Sequence, residues 1–176
     1  VPERALFDAA ARHVQLRGFT LGMVLDRRVR EAVAGGQSVA AFTAAVASST
    51  PAPGGGSVAA HAGALGAALA QMVAGLTVGR KKYVSVDAEM KALGLRAAAL
   101  VNELQSLVDR DAKAYEAVTT AYKLPRDTDD HAARRLAAID DSLVYAAQVP
   151  LETARACAAV AELAATAAEK GNTNAA

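Results

Sequence analysis

Tryptophan is absent from this 176-residue sequence, and Phe, Trp and Tyr together make up only 4% of it. A core built from large aromatic side chains is therefore excluded. Hydrophobic residues still reach 53% and charged residues 21%, so the composition excludes an intrinsically disordered chain. The apolar residues are largely Ala, with Leu and Val, which favours helices that pack closely.

Cysteine is nearly absent as well, because Cys157 is the single one, and no disulfide can form within the chain. We therefore expect a reducing, cytoplasmic environment. The formal net charge of +1 gives no indication of nucleic-acid binding, and no targeting segment is predicted at the start of the sequence. His13, His61 and His131 lie on separate predicted helices without the spacing of a metal site, so we expect no metal.

Strand signals are equally scarce, since Val84-Ser85-Val86 is the one short run with β character. The predicted helices cover residues 2–17, 21–34, 38–49, 57–79, 87–123, 128–149 and 150–170. Ser38 and Thr128 are the expected N-caps of two of them. Pro150 is predicted to begin the last helix and Gly171 to follow its end. The fold class predicted is an all-α antiparallel multi-helix bundle.

Charged residues are missing from the whole stretch 57–79, which is long enough to cross a membrane. The stretch is mostly Ala and Gly and also contains polar residues, which favours a packed helix of a soluble protein. Small residues at helical spacing would let a second backbone approach closely, either within the bundle or across a dimer. These residues are Ala59, Gly63, Gly66, Ala67, Ala70 and Ala74.

Three glycines and a serine, Gly54, Gly55, Gly56 and Ser57, directly precede this uncharged helix. The N-terminus of a helix offers unpaired N–H groups and a positive dipole end, and glycine lets a ligand approach the backbone. The pattern is consistent with a site for an anion or a carbonyl. It is equally consistent with a plain loop that ends in Ser57 as N-cap.

Asp111 falls in the middle of an apolar stripe on the helix predicted for residues 87–123, whereas Asp109 points to the opposite face. Burial of Asp111 would raise its pKa and make it a candidate general acid or base. The alternative is a buried aspartate that pairs with an arginine or caps another helix.

A third candidate is the run Arg80-Lys81-Lys82, which is followed by Tyr83. Three cations beside an aromatic ring could receive an acidic ligand. A cationic helix end that complements the helix dipole is the other interpretation.

The glycine-rich segment PGGGSVAAHAGALGAAL resembles the C-terminal part of the formiminotransferase-cyclodeaminase family. The resemblance continues through VDRDAKAYEAV (108–118), KLPRDT (123–128), VPLETA (149–154) and AEKGNTNA (168–175). It covers nearly all of residues 38–176. Residues 1–34 resemble instead the helical tail of a glutamate formiminotransferase domain, so the resemblance implies a bifunctional fusion with further sequence after residue 176.

The resemblance implies an all-α, dimeric enzyme that acts on reduced folate and needs no cofactor besides that substrate. Cyclodeaminases of this family convert 5-formimidoyltetrahydrofolate to 5,10-methenyltetrahydrofolate and ammonia, in histidine breakdown. The resemblance assigns the acid/base role to Asp111. It makes residues 54–57 and 80–82 candidates for substrate binding, together with Asn172 of the AEKGNTNA segment.

Two alternatives to a cyclodeaminase remain at this point. One is a methenyltetrahydrofolate cyclohydrolase on the same scaffold, and the other is a non-catalytic module for folate binding or dimerisation. The transferase-like residues 1–34 favour the cyclodeaminase, and an intact Asp111 argues against the non-catalytic module. A homodimer or higher homo-oligomer is expected, with neither nucleic acid nor a membrane as partner.

Overall fold

The computed structural model describes residues 38–175. The chain divides into two compact units, Val1–Ala47 and Ser48–Ala176. The described part of the first unit is helix α1, Val39–Val46. Its N-cap is Ser38, as predicted, because the Ser38 side chain accepts a hydrogen bond from the Ala41 N–H at 3.1 Å. The helices predicted for 2–17 and 21–34 lie outside the described residues.

The second unit contains three long helices: α2 (Gly55–Thr77), α3 (Asp87–Tyr122) and α4 (Asp129–Lys170). The all-α prediction is confirmed, since residues 38–175 contain no strand. The Val84-Ser85-Val86 run, which had β character in the sequence, belongs to a 3₁₀ helix, Lys81–Val86, between α2 and α3. Thr128 caps α4 as predicted, accepting from the His131 N–H at 3.2 Å.

The prediction that Pro150 begins a separate helix is wrong, because α4 runs through it. Proline lacks the N–H that would complete one helical hydrogen bond. The carbonyl that is left without this donor belongs to Ala146, four residues earlier. The flanking residues Val149 and Thr153 are buried, and their packing holds the two halves of α4 in line.

The three helices run alternately up and down, as expected for an antiparallel bundle. Ser57 at the start of α2 is bonded to Asp111 in the second half of α3. Lys170 at the end of α4 pairs with Glu89 at the start of α3, with 2.8 Å between Nζ and Oε1. Helices α2 and α4 are therefore parallel to each other, and both pack on α3.

The core of this unit is dominated by Ala and Leu, in keeping with the scarcity of aromatics. Glycines allow α4 to approach α2 closely. A Cβ at Gly63 would collide with the Cys157 thiol, and one at Gly66 would crowd Val160. Cys157 is half-buried and serves as a small packing residue in this contact.

Helix α2 is buried on one face only, so the prediction of an interior helix holds for half of its surface. Its buried face contacts both α3 and α4. The opposite face is exposed along its whole length. In the described part of the chain, α2 is the one helix long and apolar enough to cross a membrane, and 33% of its most apolar window is buried.

Candidate functional site

The start of α2 meets the middle of α3 at a cluster formed by Gly56, Ser57 and Asp111. The Asp111 Oδ2 atom accepts two hydrogen bonds from Ser57, one from its N–H and one from its hydroxyl, each 2.8 Å long. The Ser57 Oγ atom also lies 3.1 Å from the Val108 carbonyl oxygen. Ser57 is fully buried, whereas Asp111 is only partly buried.

Asp111 thus caps α2 from a neighbouring helix. The first N–H groups of a helix lack partners within the helix, and here a carboxylate accepts one of them. The alternative of a plain loop that ends in Ser57 as N-cap does not hold, because Gly54 takes that position without a side-chain bond and Ser57 lies in the first turn. This contact matches the alternative named for Asp111 in the sequence, an aspartate that caps another helix.

Gly56 makes this contact possible. A Cβ on Gly56 would overlap the Asp111 carboxylate, with Oδ1 as its nearest neighbour. Gly55, one residue earlier, has nothing within 4 Å of the corresponding position. Gly56 and Gly55 therefore differ in role. Gly56 admits a carboxylate of the same chain, whereas the sequence was consistent with the close approach of a ligand.

An ion pair beside Asp111 links α3 to α4. The Arg110 guanidinium lies 2.6 Å from the Glu152 carboxylate, measured from Nη1 to Oε2. This hydrogen bond holds the pKa of Glu152 below its usual value of 4.5. Bonds to Glu152 and then Tyr145 raise the pKa of Arg110. This pair was not predicted from the sequence, although both residues fall in segments that carry the family resemblance.

The other candidate residues lie at the far end of α2. Arg80, Lys81 and Lys82 follow its C-terminus and are exposed. They make no ion pair with residues 38–175, and the Lys82 ammonium lies 5.2 Å from the centre of the Tyr83 ring. Twenty residues separate Ser57 from Thr77, and at the helical rise this distance is about 30 Å. Within one chain, these cations and Asp111 do not form a single site.

Asn172 also lies at this far end, where it anchors the segment after α4. Its backbone N–H donates to the Thr77 hydroxyl at 2.8 Å, and its side-chain amide donates to the Leu76 carbonyl at 3.1 Å. The preceding Gly171 is extended rather than left-handed. A Cβ there would collide with the Ala167 carbonyl and with Val73, so glycine is needed for close packing at the position predicted for it.

No group of three or more His, Cys, Asp or Glu side chains among residues 38–175 is placed to hold a metal ion. The chemically distinct feature of this unit is therefore a partly buried carboxylate fixed at a helix N-terminus. Such a carboxylate can accept and return a proton, and the adjacent helix end can stabilise negative charge on a bound group.

Comparison with known proteins gives consistent matches to one group. The sequence model of the family described as formiminotransferase-cyclodeaminase matches residues 38–176. A methenyltetrahydrofolate cyclohydrolase of Methylorubrum extorquens is 44% identical over 142 residues, which are 81% of this chain and 68% of that protein. The formimidoyltransferase-cyclodeaminase of Sus scrofa is 45% identical over 119 residues, which are 68% of this chain and 22% of that protein.

A solved structure agrees with these matches. The crystal structure of a formiminotetrahydrofolate cyclodeaminase from Thermotoga maritima is 33% identical and superimposes with a TM-score of 0.67. The match covers 78% of this chain and 65% of that one. The chain thus spans about two thirds of the bacterial proteins and less than a quarter of the animal protein.

Proposed function

Because this chain belongs to the formiminotransferase-cyclodeaminase family, we propose that it catalyses the cyclodeaminase reaction on 5-formimidoyltetrahydrofolate. The observation that carries the proposal is the Asp111 carboxylate, held by Ser57 at the start of α2. The similarity in fold to a formiminotetrahydrofolate cyclodeaminase supports the same reaction.

The proposed reaction requires two proton transfers. The N10 amine of the folate attacks the formimidoyl carbon and loses a proton. The formimidoyl nitrogen enters protonated, as an amidinium NH2 group, so one further proton lets it leave as ammonia and gives the 5,10-methenyltetrahydrofolate cation. In the proposal Asp111 accepts the first proton and supplies the second, and Ser57 holds the carboxylate in place through Oδ2.

Two further groups of residues would hold the substrate. The N–H groups of residues 54–56, at the start of α2, would bind polar groups of the substrate. Arg80, Lys81 and Lys82 would meet its acidic tail. We also propose that the protein is homo-oligomeric and cytoplasmic, and that it needs no cofactor besides the folate.

A second candidate reaction is the hydrolysis of methenyltetrahydrofolate. The match to the Methylorubrum extorquens cyclohydrolase favours it, since that match covers 81% of this chain at 44% identity. In this reaction water would replace the amine chemistry, and Asp111 would act as the base toward that water.

The test is to supply 5-formimidoyltetrahydrofolate and to measure ammonia and methenyltetrahydrofolate together. We expect equal amounts of both, and an Asp111→Asn variant should be slower by about 10²- to 10⁴-fold, the usual contribution of acid–base catalysis. Asparagine can still accept from Ser57, so the fold should persist, and circular dichroism checks this. Asp109→Asn is the matched control, because that exposed carboxylate lies two residues away.

Each outcome of this test decides between the candidates. Hydrolysis of added methenyltetrahydrofolate without ammonia release would transfer the assignment to the cyclohydrolase. Turnover that is unchanged in a folded Asp111→Asn variant would refute the role of Asp111 in either reaction.

A further inference from the structure

The second half of α3 extends beyond the start of α2. Helix α2 begins at Gly55 and meets α3 at Asp111, whereas α3 continues to Tyr122. The eleven residues that follow Asp111 correspond to about 16 Å at the helical rise. The side of α3 that packs on α2 before Asp111 is therefore not covered by α2 after it. We call this side of residues 111–122 the ledge.

Two tyrosines follow Asp111 along the ledge. At 100° per residue, Tyr115 lies about 40° and Tyr122 about 20° from Asp111 around the helix axis. Both side chains therefore lie on the side of the Asp111 carboxylate, one turn and three turns further along α3. They are exposed at 44% and 52%. Val118 lies between them and is half-buried, so the surface beside the carboxylate is apolar and largely aromatic.

These tyrosines stand out in a chain with so few aromatic residues. The sequence has four tyrosines and no tryptophan. No aromatic side chain of residues 38–175 belongs to the buried core, which Ala and Leu dominate. Packing of the core therefore does not account for Tyr115 and Tyr122. Exposed aromatic rings beside a single fixed polar group are typical of a surface that binds a ligand.

Arg135 of α4 holds the outer tyrosine in place. Its guanidinium carbon lies 5.6 Å from the centre of the Tyr122 ring, and its Nη2 atom donates to the Tyr122 carbonyl at 3.2 Å. The cation lies over the ring, yet half of the Tyr122 side chain remains exposed and available for contact. A ring that is fixed in advance loses less side-chain entropy when a ligand packs on it.

We propose that the ledge binds a flat ring of the folate substrate, with Tyr115 as the stacking partner next to Asp111 and Tyr122 as the outer one. The identity of the ligand rests on the folate function proposed above. The reacting atoms N5 and N10 of a folate lie between two flat rings, the pyrimidine ring of the pterin and the benzoyl ring. A folate whose N10 meets the Asp111 carboxylate therefore carries a ring within reach of Tyr115.

The two tyrosines have a different task from Asp111. The hydrogen bonds from Ser57 fix the carboxylate, and the ledge would fix the substrate relative to it. Stacking on the tyrosines is the same before and during the proton transfers, so it contributes uniform binding of the substrate. The ledge should therefore change KM rather than kcat.

Steady-state kinetics of Tyr115→Leu and Tyr122→Leu test this assignment. Leucine keeps an apolar side chain on the helix but removes the ring, so we expect KM to rise about 2- to 10-fold in each variant, with kcat within about 2-fold. Tyr115→Phe is the matched control, because it keeps the ring and should keep KM. Circular dichroism checks that the variants fold. An unchanged KM in both leucine variants, with or without a loss of kcat, would overturn the ledge.

The absence of tryptophan permits a binding test that does not depend on turnover. The Tyr122→Trp variant has its only tryptophan on the ledge. Titration with 5-formyltetrahydrofolate, a stable analogue of the substrate, should quench its fluorescence saturably. Leu95→Trp is the control, because Leu95 is 76% exposed and precedes Asp111 on α3 by about 24 Å. We expect at least about 3-fold weaker quenching there. Equal quenching of both variants would overturn the ledge, as would its absence from Tyr122→Trp.

Two fragments of the folate show which ring the ledge holds. p-Aminobenzoylglutamate contains the benzoyl ring alone, and 6-hydroxymethylpterin contains the pterin alone. The fragment that quenches Tyr122→Trp identifies the ring, and either one supports the ledge. A wild-type chain that turns over neither folate substrate would refute the proposed function, while the titration would still decide on the ledge. Turnover by the wild type with no effect of the leucine variants would refute the ledge alone.

Discussion

Single atoms decide the geometry around Asp111. Its carboxylate reaches the backbone of α2 only because residue 56 has no side chain, and it is held there by both donors of Ser57. The sequence identified all three residues as candidates. For the glycines it left both ligand access and a plain loop open, because a pattern within one segment cannot show that an aspartate more than fifty residues away occupies the same space.

Gly56→Ala tests this packing. The new methyl group would displace the Asp111 carboxylate, and we expect a loss of about 1–3 kcal/mol in the free energy of unfolding, as for other overpacked sites. Activity should fall with it. Gly55→Ala is the control, since it meets open space and should be neutral or stabilising by up to about 1 kcal/mol. Chemical denaturation of both variants measures the difference, and equal stabilities would contradict the account.

At the scale of the elements, the segment after α4 is tied to the end of α2. The fully buried Thr77 hydroxyl donates to the Val73 carbonyl at 2.6 Å and accepts from the Asn172 N–H. The Tyr83 hydroxyl accepts from the Thr173 N–H at 3.2 Å, on the same side of the bundle. These bonds close the end of the bundle that lies opposite Asp111.

Thr77→Val removes the hydroxyl while nearly keeping the shape of the side chain. The Asn172 N–H then loses its acceptor, and we expect destabilisation by about 1–3 kcal/mol. Thr166→Val is the matched control, because the Thr166 hydroxyl donates to the Glu162 carbonyl within the same helix; its effect should stay within about 0.5 kcal/mol. Thermal unfolding measures both changes, and an unaffected Thr77→Val would show that this contact contributes little.

The continuous α4 shows where local rules fail at this scale. Pro150 is a strong signal for a helix boundary, and the prediction of two helices followed from it. The helix continues because buried residues on both sides of the proline pack against the other helices. That packing involves partners distant in sequence, so no reading of the local pattern could have detected it.

For the whole molecule, hydrogen-bonded carboxylates within and between helices make stability depend on pH. The Arg110 guanidinium lowers the pKa of Glu152 below 4.5, and a bond from Lys91, with another from the Gly79 N–H, lowers the pKa of Asp87 below 3.8. A carboxylate with a depressed pKa contributes stability above its unfolded pKa. That contribution is lost as pH falls through the folded value.

We therefore expect the free energy of unfolding to decrease as the pH falls from about 5 to 3. The Glu152→Gln variant should show a smaller decrease. The variant should be less stable than the wild type at pH 7, and the gap should shrink as Glu152 becomes protonated in the wild type. Glu162→Gln, an exposed carboxylate on the same helix, is the control. Denaturation midpoints at pH 7 and pH 3 measure the effect. A constant gap between Glu152→Gln and wild type would contradict it.

The sequence by itself determined the helical class, the N-caps at Ser38 and Thr128 and the family, because these depend on local chemistry and on contiguous motifs. Only the tertiary structure decided which candidates meet. It joined Ser57 to Asp111 and separated both from Arg80–Lys82 and Asn172 by the length of α2. It also showed that half of an uncharged helix faces outward. The physical reason is that the packing of helices from distant parts of the chain fixes these distances, whereas periodicity reports only the face of one helix at a time.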